Sequence, residues 1–159
     1  MATPTWPSRR HPAHPAPLVI GNRPVVVYAT VCTEARAEIL ACDEVHQVLR
    51  EVWRQTRSWL VGYYMIMPDH VHFFCAPREW PTESVKDWAA YWKGQTARRM
   101  EALRGRWQSD CWDTQLRTAD QYRAKLEYVS MNPVRQRLAA RSEDWSYQGR
   151  LADLIWINE

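Results

Sequence analysis

The chain reads as an α+β sandwich, helices packed on an antiparallel sheet, and three observations predict it. Residues 25–32, 59–66 and 70–75 are apolar, β-branched or aromatic runs of strand length. Residues 43–53, 84–104 and 120–131 carry apolar side chains at helical spacing. The order strand, helix, two strands, helix, strand or loop, helix then separates sheet and helices into layers. At 159 residues one domain with a substantial core is expected. We place that domain at residues 18–159, behind a flexible lead of residues 1–17 that holds five prolines and lacks the apolar stretch of a signal peptide.

The elements follow in order. Val25-Val26-Val27-Tyr28-Ala29-Thr30-Val31-Cys32 is a continuous buried strand. Asp43 is a candidate cap for a helix whose core side is Val45, Val48, Leu49, Val52 and Trp53, with His46 on its surface. Trp59 to Ile66 and His70 to Cys75 are two strands joined by a tight turn at Pro68-Asp69. Ser84 opens a longer helix with Val85, Trp88, Ala89, Trp92, Met100 and Leu103 near one stripe and Gly105 as its stop. Residues 107–117 lack helical periodicity and read as strand or extended loop. Thr118 or Asp120 caps a helix through Met131, which Asn132-Pro133 should end, because a residue before proline is pushed out of helical geometry.

Composition narrows the function classes. The four cysteines (Cys32, Cys42, Cys75, Cys111) form no CxxC pair, which argues against a zinc knuckle or a disulfide scaffold and fits a reducing cytoplasm. No apolar run approaches membrane-spanning length. Ten Trp and seven Tyr against two Phe suit base stacking and interfaces, although core packing explains many of them equally well. The net charge of +3 is a mild pointer to nucleic acid, sharpened by clustered arginines, whose planar fork grips phosphate. Lys93, Arg98, Arg99 and Arg104 lie on the polar side of the 84–104 helix, with Arg106 just beyond, as a solvated face or a track for a phosphate backbone.

Two local patterns carry chemistry. Residues two apart on a strand share a face, so His70 and His72 project together, a ready pair of metal ligands. A bare His-x-His also arises by chance. On the last helix, Tyr122, Leu126 and Val129 fall within about 60° of one another and draw the core face. Tyr128 lies roughly 90° or more from Leu126 and Val129, beside Asn132 at i+4 and Lys125 at i−3. It reads as a surface tyrosine or, combined with the histidines, as a nucleophile. A phenol, two imidazoles and an amide can compose a phosphoryl-transfer site. Barrel-type metal hydrolases also use His-x-His, but they need further ligands and a longer chain, and only His11, His14 and His46 remain.

These residues carry a family resemblance. Met67-Pro68-Asp69-His70-Val71-His72 resembles the Met-Pro-Asn/Asp-His-Val-His signature of HUH (His-hydrophobe-His) single-tyrosine transposases. Tyr128-Val129-Ser130-Met131-Asn132-Pro133-Val134-Arg135 resembles the Tyr-x-x-x-Asn-Pro-Val-Arg signature of their REP-associated branch. Trp107-Gln108, Trp112-Asp113 and Trp145-Ser146-Tyr147-Gln148-Gly149 are similar to that branch too. The resemblance implies a ferredoxin-like HUH endonuclease fold and an enzyme that cuts and rejoins single-stranded hairpin DNA, the REP-type palindrome, through a 5′-phosphotyrosine. It implies Tyr128 as nucleophile, His70, His72 and Asn132 as ligands of Mg2+ or Mn2+, and a bacterial, nucleoid-associated setting in the cytoplasm. Backbone contacts are then expected from Lys93, Arg98, Arg99, Arg104, Arg106, Lys125, Arg135, Arg137 and Arg141. Monomer and tyrosine-swapped homodimer stay open, as does a domesticated hairpin binder that cuts poorly.

Overall fold

A computed structural model describes residues 26–78 and 82–154 with their side chains, and the backbone of a two-residue ladder pairing 19–20 with 23–24. The expected lead of residues 1–17 lies outside the described residues, as does Val25 at the start of the first expected strand.

The described chain runs β1 (Val26–Cys32), α1 (Asp43–Gln55), β2 (Trp59–Ile66), β3 (His70–Pro77), α2 (Val85–Arg99), β4 (Trp112–Leu116), α3 (Ala119–Ser130), α4 (Asn132–Arg135) and β5 (Gln148–Arg150). The sheet order is β4-β1-β3-β2-β5, antiparallel throughout. From β1 to β4 this is the βαββαβ ferredoxin-like arrangement, with β5 added on the edge of β2. The expected α+β sandwich and its ferredoxin-like sheet are both present.

Alternation along β3 divides the interior. Val71, Phe73 and Cys75 face α1 and α2, where Val45, Leu49, Val52, Trp53, Trp88, Ala89 and Trp92 complete one core. Phe74 and Ala76 face the other way, toward Tyr122 and Val129 of α3. Strand β2 serves both cores through a bulge, because Val61 pairs with Cys75 but Tyr64 with Phe73. The extra residue re-phases the strand, so Leu60, Tyr63 and Met65 reach the α3 side while Trp59, Val61, Tyr64 and Ile66 reach the other. Trp53, Trp59, Trp88 and Trp92 are fully buried, so these four tryptophans build a core and cannot stack on bases.

Local chemistry sets the helix ends, with three departures from expectation. Cys42, without a side-chain bond, occupies the cap position of α1, and Asp43 stands first inside the helix. There Asp43 and Glu44 complement the positive end of the helix dipole. Ser84 caps α2 by accepting from the Asp87 N–H, but the helix stops at Arg99 and does not run to Gly105. Met100 is extended, a 3₁₀ turn at Glu101–Leu103 returns Leu103 to the core, and Gly105 (φ 67°) makes the next turn. Thr118 caps α3 by accepting from the Gln121 N–H. Asn132-Pro133 breaks α3 but also opens α4, since a proline in the first helical turn gives up no needed donor. Among the described residues no helix is long and apolar enough to cross a membrane.

Candidate active site

The centre of the sheet places the histidine pair. β3 is flanked by β1 and β2, and His72 pairs across the ladders with Thr30 and Met65, while His70 pairs with Cys32. Both imidazoles face the α3 side and are almost fully buried, at 5% and 7% exposure. Each uses its Nδ1 on a protein partner. His70 Nδ1 lies 2.6 Å from Asp69 Oδ1, and His72 Nδ1 lies 2.8 Å from both Thr30 Oγ1 and Tyr28 Oη.

The two Nε2 atoms are then left facing each other at 3.1 Å. A carboxylate only accepts, so Asp69 fixes the His70 proton on Nδ1 and leaves a lone pair on Nε2. Cis ligands of an octahedral divalent ion at about 2.1 Å stand roughly 3 Å apart, so the pair has the bite that such an ion needs. Its outer partners are those that orient metal-bound histidines elsewhere.

The electrostatics suit a neutral His72. Burial pulls the His72 pKa well below its ordinary 6.5, and the charges of His70, Arg135, Lys125 and Arg36 act in the same direction. Burial alone would raise the Asp69 pKa, but hydrogen bonds from His70 and Arg36 outweigh it and hold the carboxyl at about 2. The Tyr28 hydroxyl, desolvated beside His72, is pushed up to about 12, which makes it a hydrogen-bonding partner and a poor nucleophile.

The break between α3 and α4 brings in Asn132, 6% exposed. Its Nδ2 sits 3.4 Å from His70 Nε2, and its Oδ1 is 3.5 Å from an Arg135 Nη. Rotating the amide exchanges oxygen for nitrogen toward the imidazoles. Among the described residues no group of three or more His, Cys, Asp or Glu could hold a metal. A cation here would rest on two imidazoles and an amide, with its other positions open.

Tyr128, on α3, is 56% exposed. The Arg135 guanidinium lies 3.9 Å from its ring centroid, and Lys125 Nζ lies 5.5 Å from that ring and 5.1 Å from the Tyr28 ring. Tyr128 is thus linked to His70 through Arg135 and Asn132, and to His72 through Lys125 and Tyr28.

The remaining cations divide by position. Lys93 is not on the polar face: it is 7% exposed and donates to the Gln108 carbonyl at 2.8 Å. Burial lowers its pKa, and it ties α2 to the following loop. Arg98 and Arg99 belong to α2, on the layer opposite the histidines, and Arg99 bonds Gln55 and Glu51 of α1. Arg104 and Arg106 are exposed in the turn after α2. The Arg106 carbonyl accepts from the Glu34 N–H, close to the histidine turn. Arg137 follows α4 with φ 59°, and Arg141 pairs with Glu143 and Asp144. His46 is half-buried, bonded to Tyr64 Oη at 2.7 Å, and not a ligand.

Reading the sequence missed Tyr28, Thr30 and Arg36. The first two had a signal, two hydroxyls at strand spacing inside an otherwise apolar run.

The fold and site define an α+β protein with paired imidazoles at the centre of a ferredoxin-like sheet and a tyrosine helix across that face. No family model matches the chain. A REP-associated tyrosine transposase of Escherichia coli (strain K12) is 23% identical over 118 residues, 70% of this chain and 67% of that protein. A solved REP-associated tyrosine transposase, bound to a REP hairpin, matches with a TM-score of 0.66 at 20% identity, covering 90% of this chain and 81% of the other. The chain shares that transposase's fold, and the similarity extends well beyond the two motifs.

Proposed function

We propose that the protein is a metal-dependent single-stranded DNA endonuclease and strand transferase acting on hairpin DNA through a 5′-phosphotyrosine intermediate. One observation carries the reading: two Nε2 atoms 3.1 Å apart, beside Asn132, are linked through Arg135 and Lys125 to an exposed Tyr128. The hairpin bound to the structural neighbour supports a hairpin partner here.

His70, His72 and the Asn132 oxygen would hold Mg2+ or Mn2+, which when bound polarises a phosphodiester and offsets charge on its oxygens. In the cutting step Tyr128 Oη attacks phosphorus and gives up its proton. The bond from phosphorus to the 3′-oxygen breaks, and that oxygen leaves with a proton as a 3′-hydroxyl. Lys125 and Arg135 set positive charge where the phosphate must lie. Rejoining is the reverse, as a 3′-hydroxyl attacks the phosphotyrosine. One ester replaces another, so no nucleotide cofactor is needed.

The test mixes protein and manganese with end-labelled single-stranded hairpins on a denaturing gel. The fragment downstream of the cut should shift to protein size, and Tyr128→Phe should abolish the shift while changing hairpin affinity less than about twofold. Equal cleavage by Tyr128→Phe would overturn the nucleophile, and binding with no covalent product would favour a hairpin binder.

A further inference from the structure

The segment between β1 and α1 closes over the histidine turn. The Thr33 N–H and Oγ1 donate to the Asp69 carbonyl at 3.0 and 3.1 Å, and the Leu40 N–H donates to the Pro68 carbonyl at 2.9 Å. These bonds hold the backbone of the turn. Arg36 addresses its side chain instead, with Nε 2.8 Å from Asp69 Oδ2, Nη1 3.1 Å from Cys32 Sγ and Nη2 3.5 Å from His70 Nδ1. Asp69 spends its other oxygen, Oδ1, on His70 Nδ1.

The backbone is strained to achieve this. Ala35 (φ 52°) and Arg36 (φ 53°) are consecutive non-glycine residues in the left-handed region, a costly conformation that persists only where the surroundings enforce it. The guanidinium so delivered pins one carboxylate oxygen, and the carboxylate can then offer the other to His70 in a single orientation.

We propose that Arg36 is a positioning residue of the metal site, acting through Asp69 to hold His70 with its proton on Nδ1 and its Nε2 lone pair aimed at the cation. This role rests on the metal reading made under Proposed function. A guanidinium suits the task because it is always charged and directs its donors along fixed lines. Losing the group bonded to a ligand, here Asp69, typically changes metal affinity by about 10- to 100-fold, and Arg36 supports that group.

Two readouts on purified full-length protein test the role. In the metal-free protein, long-range 15N–1H NMR should show His70 protonated at Nδ1 and bare at Nε2. Arg36→Ala and Asp69→Ala should each give a mixture of tautomers, while the backbone bonds from Thr33 and Leu40 keep the turn folded. In a manganese titration each variant should bind about tenfold more weakly, and the double variant no more weakly than Asp69→Ala, because Arg36 acts through Asp69. The 3.5 Å contact of Arg36 with His70 Nδ1 is no hydrogen bond while that nitrogen carries the proton. Asp69→Asn keeps an oxygen for the Nδ1–H but turns an N–H toward the Arg36 Nε–H, so it loses the Arg36 bond and should weaken binding about as much as Arg36→Ala.

Unchanged tautomer and affinity in Arg36→Ala would overturn the role, as would additive losses in the double variant. Asp69→Asn binding manganese as tightly as the parent would overturn it too, since the Arg36 bond would then be dispensable. A parent protein with the expected tautomer but no manganese binding would overturn the metal reading itself, and this role with it.

Discussion

His72 is the more deeply enclosed of the two imidazoles, and its environment makes a prediction about pH. Burial, then the charges of His70, Arg135, Lys125 and Arg36, holds its pKa well below 6.5 in the folded chain. Above pH 6.5 neither folded nor unfolded chain protonates it, and stability is indifferent to pH through this group. Below pH 6.5 the unfolded chain takes a proton that the folded chain declines, so stability falls by up to about 1.4 kcal/mol per pH unit. Urea unfolding of the metal-free parent should therefore weaken from pH 6.5 to 5, and His72→Gln should flatten that slope. Equal slopes would show that His72 is not held neutral. The residues of the centre were legible because each motif is local: His70 and His72 are two apart on a strand, and Tyr128 and Asn132 are four apart near one helix end. Their partners were not, because Thr30 reaches His72 across 42 residues, Tyr28 across 44, and Arg36 reaches Asp69 across 33. Strand pairing brings the first two to His72, and the turn after β1 brings Arg36 to Asp69. Lys93 was misplaced for a related reason: a helical wheel does not show that the loop carrying Gln108 closes over its ammonium.

Among the elements, β5 depends on its glycine in a way that can be measured. A Cβ on Gly149 would stand 2.6 Å from Tyr64 Oη and 3.0 Å from Arg50 Nη1. Tyr64 is fully buried, and its hydroxyl is held by His46 and Arg50, so it cannot swing aside. Gly149→Ala should lift β5 from β2 and cost about 1–3 kcal/mol, as overpacking generally does. Thermal unfolding should show a midpoint several degrees lower, partly restored when Tyr64→Phe removes the hydroxyl. A midpoint equal to the parent's would mean that the edge strand adjusts freely. The long strands and α1 were readable in advance because their apolar periodicity is unbroken. The end of α2 was not, since Met100 and Leu103 both reach the core although the helix has stopped between Thr96 and them. An apolar stripe records which side chains are buried, and a 3₁₀ turn can bury them as well as a helix does. The bulge in β2 was equally hidden, because both of its phases are apolar.

At the scale of the whole molecule, the sheet separates two tasks. One face is closed by α1, α2 and four buried tryptophans, while the other carries the histidines beneath α3 and α4. Charge follows the same division. Arg98 and Arg99 sit on the α1–α2 layer, and Arg99 is engaged with Glu51 and Gln55. Lys125 and Arg135 stand at Tyr128. If the proposed chemistry is right, a hairpin must cross the α3 face, and phosphate contacts belong to the second pair. Each phosphate neutralised contributes roughly 0.7–0.9 to the slope of log affinity against log salt. Lys125→Ala with Arg135→Ala should weaken hairpin binding at least about tenfold and reduce that slope by about 1.5. Arg98→Ala with Arg99→Ala should change affinity less than about twofold and leave the slope alone. Fluorescence anisotropy over a salt series, with a catalytically silent Tyr128→Phe background to prevent cutting, measures both quantities. The opposite pattern, a large loss from the α2 pair and none from the α3–α4 pair, would put the DNA on the tryptophan layer, leaving Tyr128 with no scissile phosphate in reach.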